Sequence, residues 1–287
     1  MKDYIELTKP RITWLILMSA AVGYFFGQSA DWRTWTNFWT LLHTILGTGL
    51  IASGTAGLNQ WYEREADAKM RRTKGRPIPS GRLTPKRALI FSAVVAVAGF
   101  LELTFAVNPL TGLLGLFTLL SYLFLYTPLK QKTQLSTLVG AFPGAMPPMI
   151  GYAAASGTLT AEAWVLFAIL FLWQFPHFLA IAWMYREDYA RAGILMLPVV
   201  EPDGERTARQ IVLYAIALVP VSVIPSVLGM SGKFYFLGAL LLSLIFLYSG
   251  VRVAFDRSIV RARRVLLVSV IYLPLIYGLM VLDRPGL

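Results

Sequence analysis

Residues 36–77 read TNFWTLLHTILGTGLIASGTAGLNQWYEREADAKMRRTKGRP. Positions 36–59 carry no Asp, Glu, Lys or Arg, and positions 60–77 then hold three carboxylates and six basic side chains. The first part is as long as a helix must be to cross about 30 Å of hydrocarbon. The second is too densely charged to follow it in. Asn59 therefore stands at a membrane surface, and the fold class turns on whether the pattern recurs.

It recurs along the whole chain. Of 287 residues 56% are hydrophobic and 14% charged, and the mean hydropathy is +0.61, too apolar for an ordinary soluble domain. Runs with few or no charges at 12–28, 36–59, 88–107, 110–127, 134–155, 162–184, 210–229, 234–251 and 265–282 predict an all-α, polytopic integral membrane protein with nine transmembrane helices. There is no low-complexity segment or long linker, so 1–287 is expected to be one membrane domain. The first run follows Lys2, Asp3, Glu6, Lys9 and Arg11 without a small-residue cleavage pattern and reads as a retained helix.

The chain has no cysteine, which excludes disulfides and thiolate metal sites. Orientation has to come from charge. The N-terminus and the segments 61–88, 128–133, 185–209 and 252–264 fall on one side and carry 23 Lys and Arg; the other side has Arg33, Lys233 and Arg284. This bias predicts a cytoplasmic N-terminus in the cell membrane. It also accounts for the net charge of +11 through topology and contact with anionic membrane lipids, without a nucleic-acid partner.

If the second helix continues past the surface, Asn59, Glu63 and Asp67 lie at i, i+4 and i+8, drifting about 40° and rising about 6 Å per step. They form one oxygen-rich face, with Arg71 next on the ladder. Arg72, Lys74 and Arg76 follow in a segment that Gly75, Pro77, Pro79 and Gly81 keep non-helical. Carboxylate and amide oxygens suit Mg²⁺, which often bridges a few carboxylates to substrate phosphates, and Arg and Lys suit the remaining phosphate oxygens. The ladder equally fits a solvated, salt-bridged helix end.

The sixth run ends in WQFPHFLAIAWMYREDYARAGILMLP, residues 173–198, on the same side as the second. Its acidic end can face the first across a central cavity. His177 and Asp188, eleven residues apart, share a helical stripe if the helix is continuous, with Pro176 placed to bend it. An intramembrane histidine is either a core imidazole satisfied by a neighbour or a functional group. His43 reads as structural, and Glu102 as a partner for another helix. Lys130 and Lys132 lie on the same cytoplasmic side. Just beyond, GAFPGAMPPMIGY (140–152) either breaks a helix to line a cavity or packs it closely through small residues.

Four blocks together resemble the UbiA superfamily of intramembrane prenyltransferases, over nearly the whole chain: LTKPRI (7–12), NQWYEREADAKMRRTKGRPIPSGR (59–82), YTPLKQKTQLSTLVGAFPGAMPPMIGY (126–152) and WQFPHFLAIAWMYREDYARAGILMLP (173–198). The last two resemble its heme-modifying branch. The resemblance implies nine helices around a lipid-accessible cavity capped by the loops after the second and sixth helices. It implies farnesyl transfer from farnesyl diphosphate to the 2-vinyl group of heme B, with water supplying a hydroxyl, giving heme O and diphosphate on the way to heme A for terminal oxidases. Heme B is then a substrate, Mg²⁺ the cofactor, and a downstream heme A synthase or oxidase assembly factor a partner.

Carried over by position, Asn59, Glu63, Asp67 and Asp188 would be catalytic and metal-binding. Arg71, Arg72, Arg76, Lys130 and Lys132 would bind diphosphate, and His177 would contact heme as an iron ligand or near the reacting vinyl. Two departures stand out. Glu63 occupies a position that is often Asp, and the second acidic motif is reduced to Asp188, since Met184 and Ala192 flank it at four residues. Prenylation of an aromatic quinone precursor such as 4-hydroxybenzoate would share the first motif. A secondary transporter would place its carboxylates nearer the bilayer midplane. A non-catalytic heme-binding assembly subunit would leave the diphosphate motif without purpose.

Overall fold

A computed structural model describes residues 1–28 and 34–286. Arg33, one of the three basic residues assigned to the outer side, lies outside the described residues. The elements among them are all helical. In chain order they are α1 (Lys2–Leu7), α2 (Pro10–Gly27), α3 (Trp35–Tyr62), α4 (Arg64–Lys69), α5 (Pro85–Leu101), α6 (Pro109–Leu120), α7 (Thr127–Leu129), α8 (Ser136–Gly144), α9 (Pro147–Ser156), α10 (Ala161–Met184), α11 (Arg186–Arg191), α12 (Leu197–Val200), α13 (Glu205–Val227), α14 (Lys233–Phe255) and α15 (Ile259–Leu282). Six-residue π-helical segments, Glu102–Val107 and Ser121–Tyr126, prolong α5 and α6.

Seven helices are long and apolar enough to cross a membrane: α3, α5 and α6 with their extensions, α10, α13, α14 and α15. The other two expected spans take different forms. The first is the 18-residue α2. The fifth is divided at Ala145 and Met146 into α8 and α9, because Pro147 and Pro148 cannot supply the amides that would continue α8. The sequence left cavity lining and close packing open for this segment, and α9 packs closely against α2. A Cβ on Gly151 would lie 1.8 Å from the Ala20 carbonyl oxygen, and one on Gly23 would lie 1.9 Å from that of Pro148. Only glycine allows backbones to approach like this, which is how membrane helices associate without a hydrophobic drive between them.

The outer surface is apolar. Phe105, Phe124, Val227 and Phe234 are among the most exposed side chains, as a bundle in lipid requires. By contrast α10 is enclosed, packing against α8, α9, α13 and α15. It supplies Leu166, Ile169, Leu179 and Ala180 to the main core.

Candidate active site

The motif ladder survives the end of α3. The Glu63 amide donates to the Asn59 carbonyl at 2.9 Å and the Asp67 amide to the Glu63 carbonyl at 2.8 Å, so helical spacing runs on into α4. Asn59, Glu63 and Asp67 are all buried, against the solvated helix end that the spacing alone also allowed. The ladder stops there. Met70 is extended, so Arg71 leaves the face it was expected to share.

Each motif side chain is held by a cation. Lys130 Nζ donates to Glu63 Oε1 at 2.8 Å, Arg76 Nη1 to Asp67 Oδ2 at 2.6 Å, and Lys9 Nζ to Asn59 Oδ1 at 3.5 Å. The Asn59 amide donates to Thr127 Oγ1 at 3.3 Å, and Thr73 Oγ1 closes the loop onto the Asp67 carbonyl at 2.8 Å. Burial alone would push the Glu63 carboxyl up. The Lys130 charge and hydrogen bond, with Lys9 and Arg76 behind them, outweigh that and hold it below the usual carboxylate range. Burial pulls the Lys130 ammonium down, but Glu63 outweighs it, aided by Tyr126 and Tyr122, and raises it well above an ordinary lysine. Lys130 also lies 4.4 Å from the centre of the Tyr126 ring, in the π-helical turn beside it.

Lys9 is pushed down to about 7, first by burial and then by Arg76, with Lys130 adding to it and Glu63 and Asp67 opposing. It is also the one non-glycine residue in the left-handed region among the described residues, at φ 50°. Such a backbone is kept only where its surroundings hold it. Here they do. The fully buried Leu7 accepts at its carbonyl from Gln60 Nε2 at 2.8 Å, and Arg82 ties α1 to the motif loop by donating to Asp3, Glu6 and the Gly75 carbonyl.

Asp188 does not sit among these groups as a free carboxylate. Its Oδ1 accepts from the Arg71 amide at 3.3 Å and its Oδ2 from the Arg72 amide at 3.2 Å, and the Arg191 guanidinium pairs with Oδ1. It joins the loop after α10 to the loop after α3. The Leu195 amide joins it to the Lys130 carbonyl as well, at 2.7 Å. Below lies an apolar seal of Ala66, Met70, Ala182, Ala192, Ile194 and Met196. Three loops distant in sequence are thus tied into one cap. The Arg72 guanidinium stacks over Tyr185 and donates to Tyr189 Oη at 3.2 Å, while Arg71 is exposed. Lys132 is also exposed, and its side chain joins none of these contacts among the described residues.

His177 lies apart from the cluster. The stripe it was to share with Asp188 presumes a continuous helix, and the chain breaks at Tyr185 (φ −114°, ψ 22°) before α11. Its imidazole stacks on Trp173, ring centres 4.8 Å apart, and its Nδ1 is 2.8 Å from Ser269 Oγ on α15. On the opposite side of the fold His43 and Glu102 form a pair at 2.6 Å, the helix partner that Glu102 was expected to have.

Residues 16–273 match the profile of the UbiA prenyltransferase family. The chain belongs to that family. Its full length aligns with the protoheme IX farnesyltransferase of Solibacter usitatus at 69% identity, covering 100% of both chains. The protein of the same name from Koribacter versatilis is 47% identical over 99% of this chain and 94% of its own. Among solved structures, one from work on digeranylgeranylglyceryl phosphate synthase in membranes aligns over 100% of this chain and 99% of its own, with a TM-score of 0.81 and 17% identity. A UbiA homolog from Archaeoglobus fulgidus bound to GPP and Mg²⁺ aligns over 97% and 99%, with a TM-score of 0.66 and 14% identity. At these identities the structural likeness is one of fold.

Within this UbiA prenyltransferase the residues fit a cation shared with a ligand. Asp67 Oδ1 is buried without a hydrogen-bond partner, an acceptor aimed at something the protein does not supply. No three His, Asp or Glu side chains converge into a ready-made metal cage among the described residues. Asn59, Glu63 and Asp67 supply oxygen donors of the kind Mg²⁺ takes alongside substrate phosphate. Sequence reasoning missed Lys9, Thr73 and Thr127. Only Lys9 left a signal: Pro10 starts α2, so the preceding lysine is its N-cap, on the same side as the motif.

Proposed function

We propose that this UbiA prenyltransferase farnesylates heme B at its 2-vinyl group, using farnesyl diphosphate and water and releasing heme O and diphosphate. One observation carries the chemistry: a buried, unpartnered Asp67 oxygen in a motif whose three side chains are each held by a cation, Lys9 on Asn59, Lys130 on Glu63 and Arg76 on Asp67. The acceptor is supported by full-length relatives that bear the name protoheme IX farnesyltransferase.

Asn59, Glu63 and Asp67 would hold Mg²⁺, which when bound neutralises charge on the leaving diphosphate. Arg76, Lys130 and Lys9, with Arg71 and Arg72 at the rim, donate to the diphosphate oxygens as the C1–O bond breaks and its electron pair departs with the leaving group. Lys132 stands further out, as a long-range attraction for the incoming anion. Asp188 holds the loop carrying Arg71 and Arg72; for it to reach a metal, the Arg191 contact must open. The vinyl π electrons form the new bond to farnesyl C1, and water adds at the other vinyl carbon and gives up a proton. His177 contacts heme from α10, below the cap.

We place nine crossings around a lipid-accessible cavity, with the N-terminus and the cap in the cytoplasm and the product passed to a heme A synthase or oxidase assembly factor. The charge asymmetry of 23 against 3 supports the orientation. To test the acceptor, heme B and 4-hydroxybenzoate are offered together with farnesyl diphosphate and Mg²⁺. Prenylated heme alone is expected. Prenylated aromatic acid alone would keep the family chemistry and remove the heme assignment.

A further inference from the structure

Ser269 sits on α15, ninety-two residues from the histidine it touches, and no part of the diphosphate chemistry uses it. Its hydroxyl has one hydrogen, and a carbonyl on its own helix lies within reach of it. Ser269 Oγ donates to the Leu266 carbonyl at 2.6 Å, the back-bond common for serine within a helix. With the hydroxyl hydrogen on the Leu266 carbonyl, Ser269 Oγ is left as an acceptor, and the 2.8 Å contact with His177 is made by Nδ1–H donating to it. A neutral imidazole that donates from Nδ1 carries its lone pair on Nε2.

The ring is held in two further ways. Trp173 stacks beneath it with an interplanar angle of 23°, and the Trp173 indole N–H donates to the Ser269 carbonyl at 2.8 Å. Trp173, His177 and Ser269 thus form a closed triangle between α10 and α15. His177 Nε2 makes no hydrogen bond among the described residues, and the residue is half-buried instead of sealed in the core. It lies seven residues before the end of α10, about 10 Å along the helix axis. A half-buried imidazole whose Nε2 has no protein partner can offer that lone pair to a ligand.

We infer that Ser269 is a positioning residue for heme: it fixes His177 in the Nδ1–H form and so presents the Nε2 lone pair to the heme iron as an axial ligand. Metal-binding histidines are oriented in this way by an oxygen acceptor on the other nitrogen, and loss of that acceptor costs affinity. The inference rests on His177 contacting heme.

The test titrates heme B alone into the full-length protein in lipid nanodiscs, reading the Soret band, the iron–histidine stretching band and the affinity. His177→Ala should abolish the iron–histidine band. Ser269→Ala should weaken heme binding roughly tenfold and shift that band while leaving it present, and Ser269→Thr, which keeps the hydroxyl, should restore both. Ser269→Cys, close in volume but a poor acceptor, gives the same reading if the alanine variant folds poorly. Ser269→Ala or Ser269→Cys indistinguishable from the unmodified protein, with His177→Ala still altered, would overturn the role of Ser269 alone. An unchanged spectrum in His177→Ala would overturn the heme contact itself.

Discussion

Asp67 is the residue on which the chemistry depends most, since one oxygen is bound to Arg76 and the other has no partner. Asp67→Asn keeps the size and removes the charge, so turnover is expected to fall about a hundredfold or more, with helical content unchanged by circular dichroism. Activity within a few-fold would remove Asp67 from the site. Lys130→Met makes a different prediction. It leaves Glu63 buried and unpaired, and breaking a buried pair costs about 3 kcal/mol or more. Thermal unfolding in detergent should therefore move clearly downward, whereas Lys132→Met, at an exposed position, should leave it where it is. The acidic ladder was legible because helical spacing is rigid and its periodicity is written in the chain. Lys9 was not, because its place depends on a left-handed turn and on Leu7 docking under Gln60, fifty-three residues away.

The elements contribute by bringing loops together. Asp188 was readable as an acidic residue at the end of the sixth span, but its use of the Arg71 and Arg72 amides depends on the break at Tyr185, which no periodicity signals. Asp188→Ala should speed hydrogen exchange at those two amides and lower turnover, about tenfold for two lost charge-assisted bonds at roughly 1 kcal/mol each against partial replacement by water. Unchanged exchange would mean the loops are held by the apolar seal alone. The glycines of the fifth segment make a second test. Gly151→Val should prevent folding by driving α9 off α2, while Gly278→Ala, with open space around its Cβ, should be neutral or slightly stabilising, as judged by monodisperse yield.

At the scale of the molecule, the apolar runs and charge bias are strong because a bilayer constrains length and loop charge more tightly than water does. Helix ends were read less well. Several spans extend further toward the charged side than the uncharged runs do, α13 beginning at Glu205 and α15 at Ile259, because helices continue through the interface where arginines snorkel. The absence of cysteine makes orientation directly testable. Lys74→Cys should react with a membrane-impermeant maleimide from the cytoplasmic face alone, and Lys233→Cys from the opposite face alone; the reverse pattern would invert the topology.

If the clasped acidic ladder ionises farnesyl diphosphate for attack by heme, a single-turnover reaction of the protein with heme B, farnesyl diphosphate and Mg²⁺ will show it when the heme products are weighed by mass spectrometry. A heme heavier by one farnesyl group and one water is expected, absent with EDTA and nearly absent with Asp67→Asn. The same product formed at full rate by Asp67→Asn, or no prenylated heme from the unmodified protein, would contradict the account.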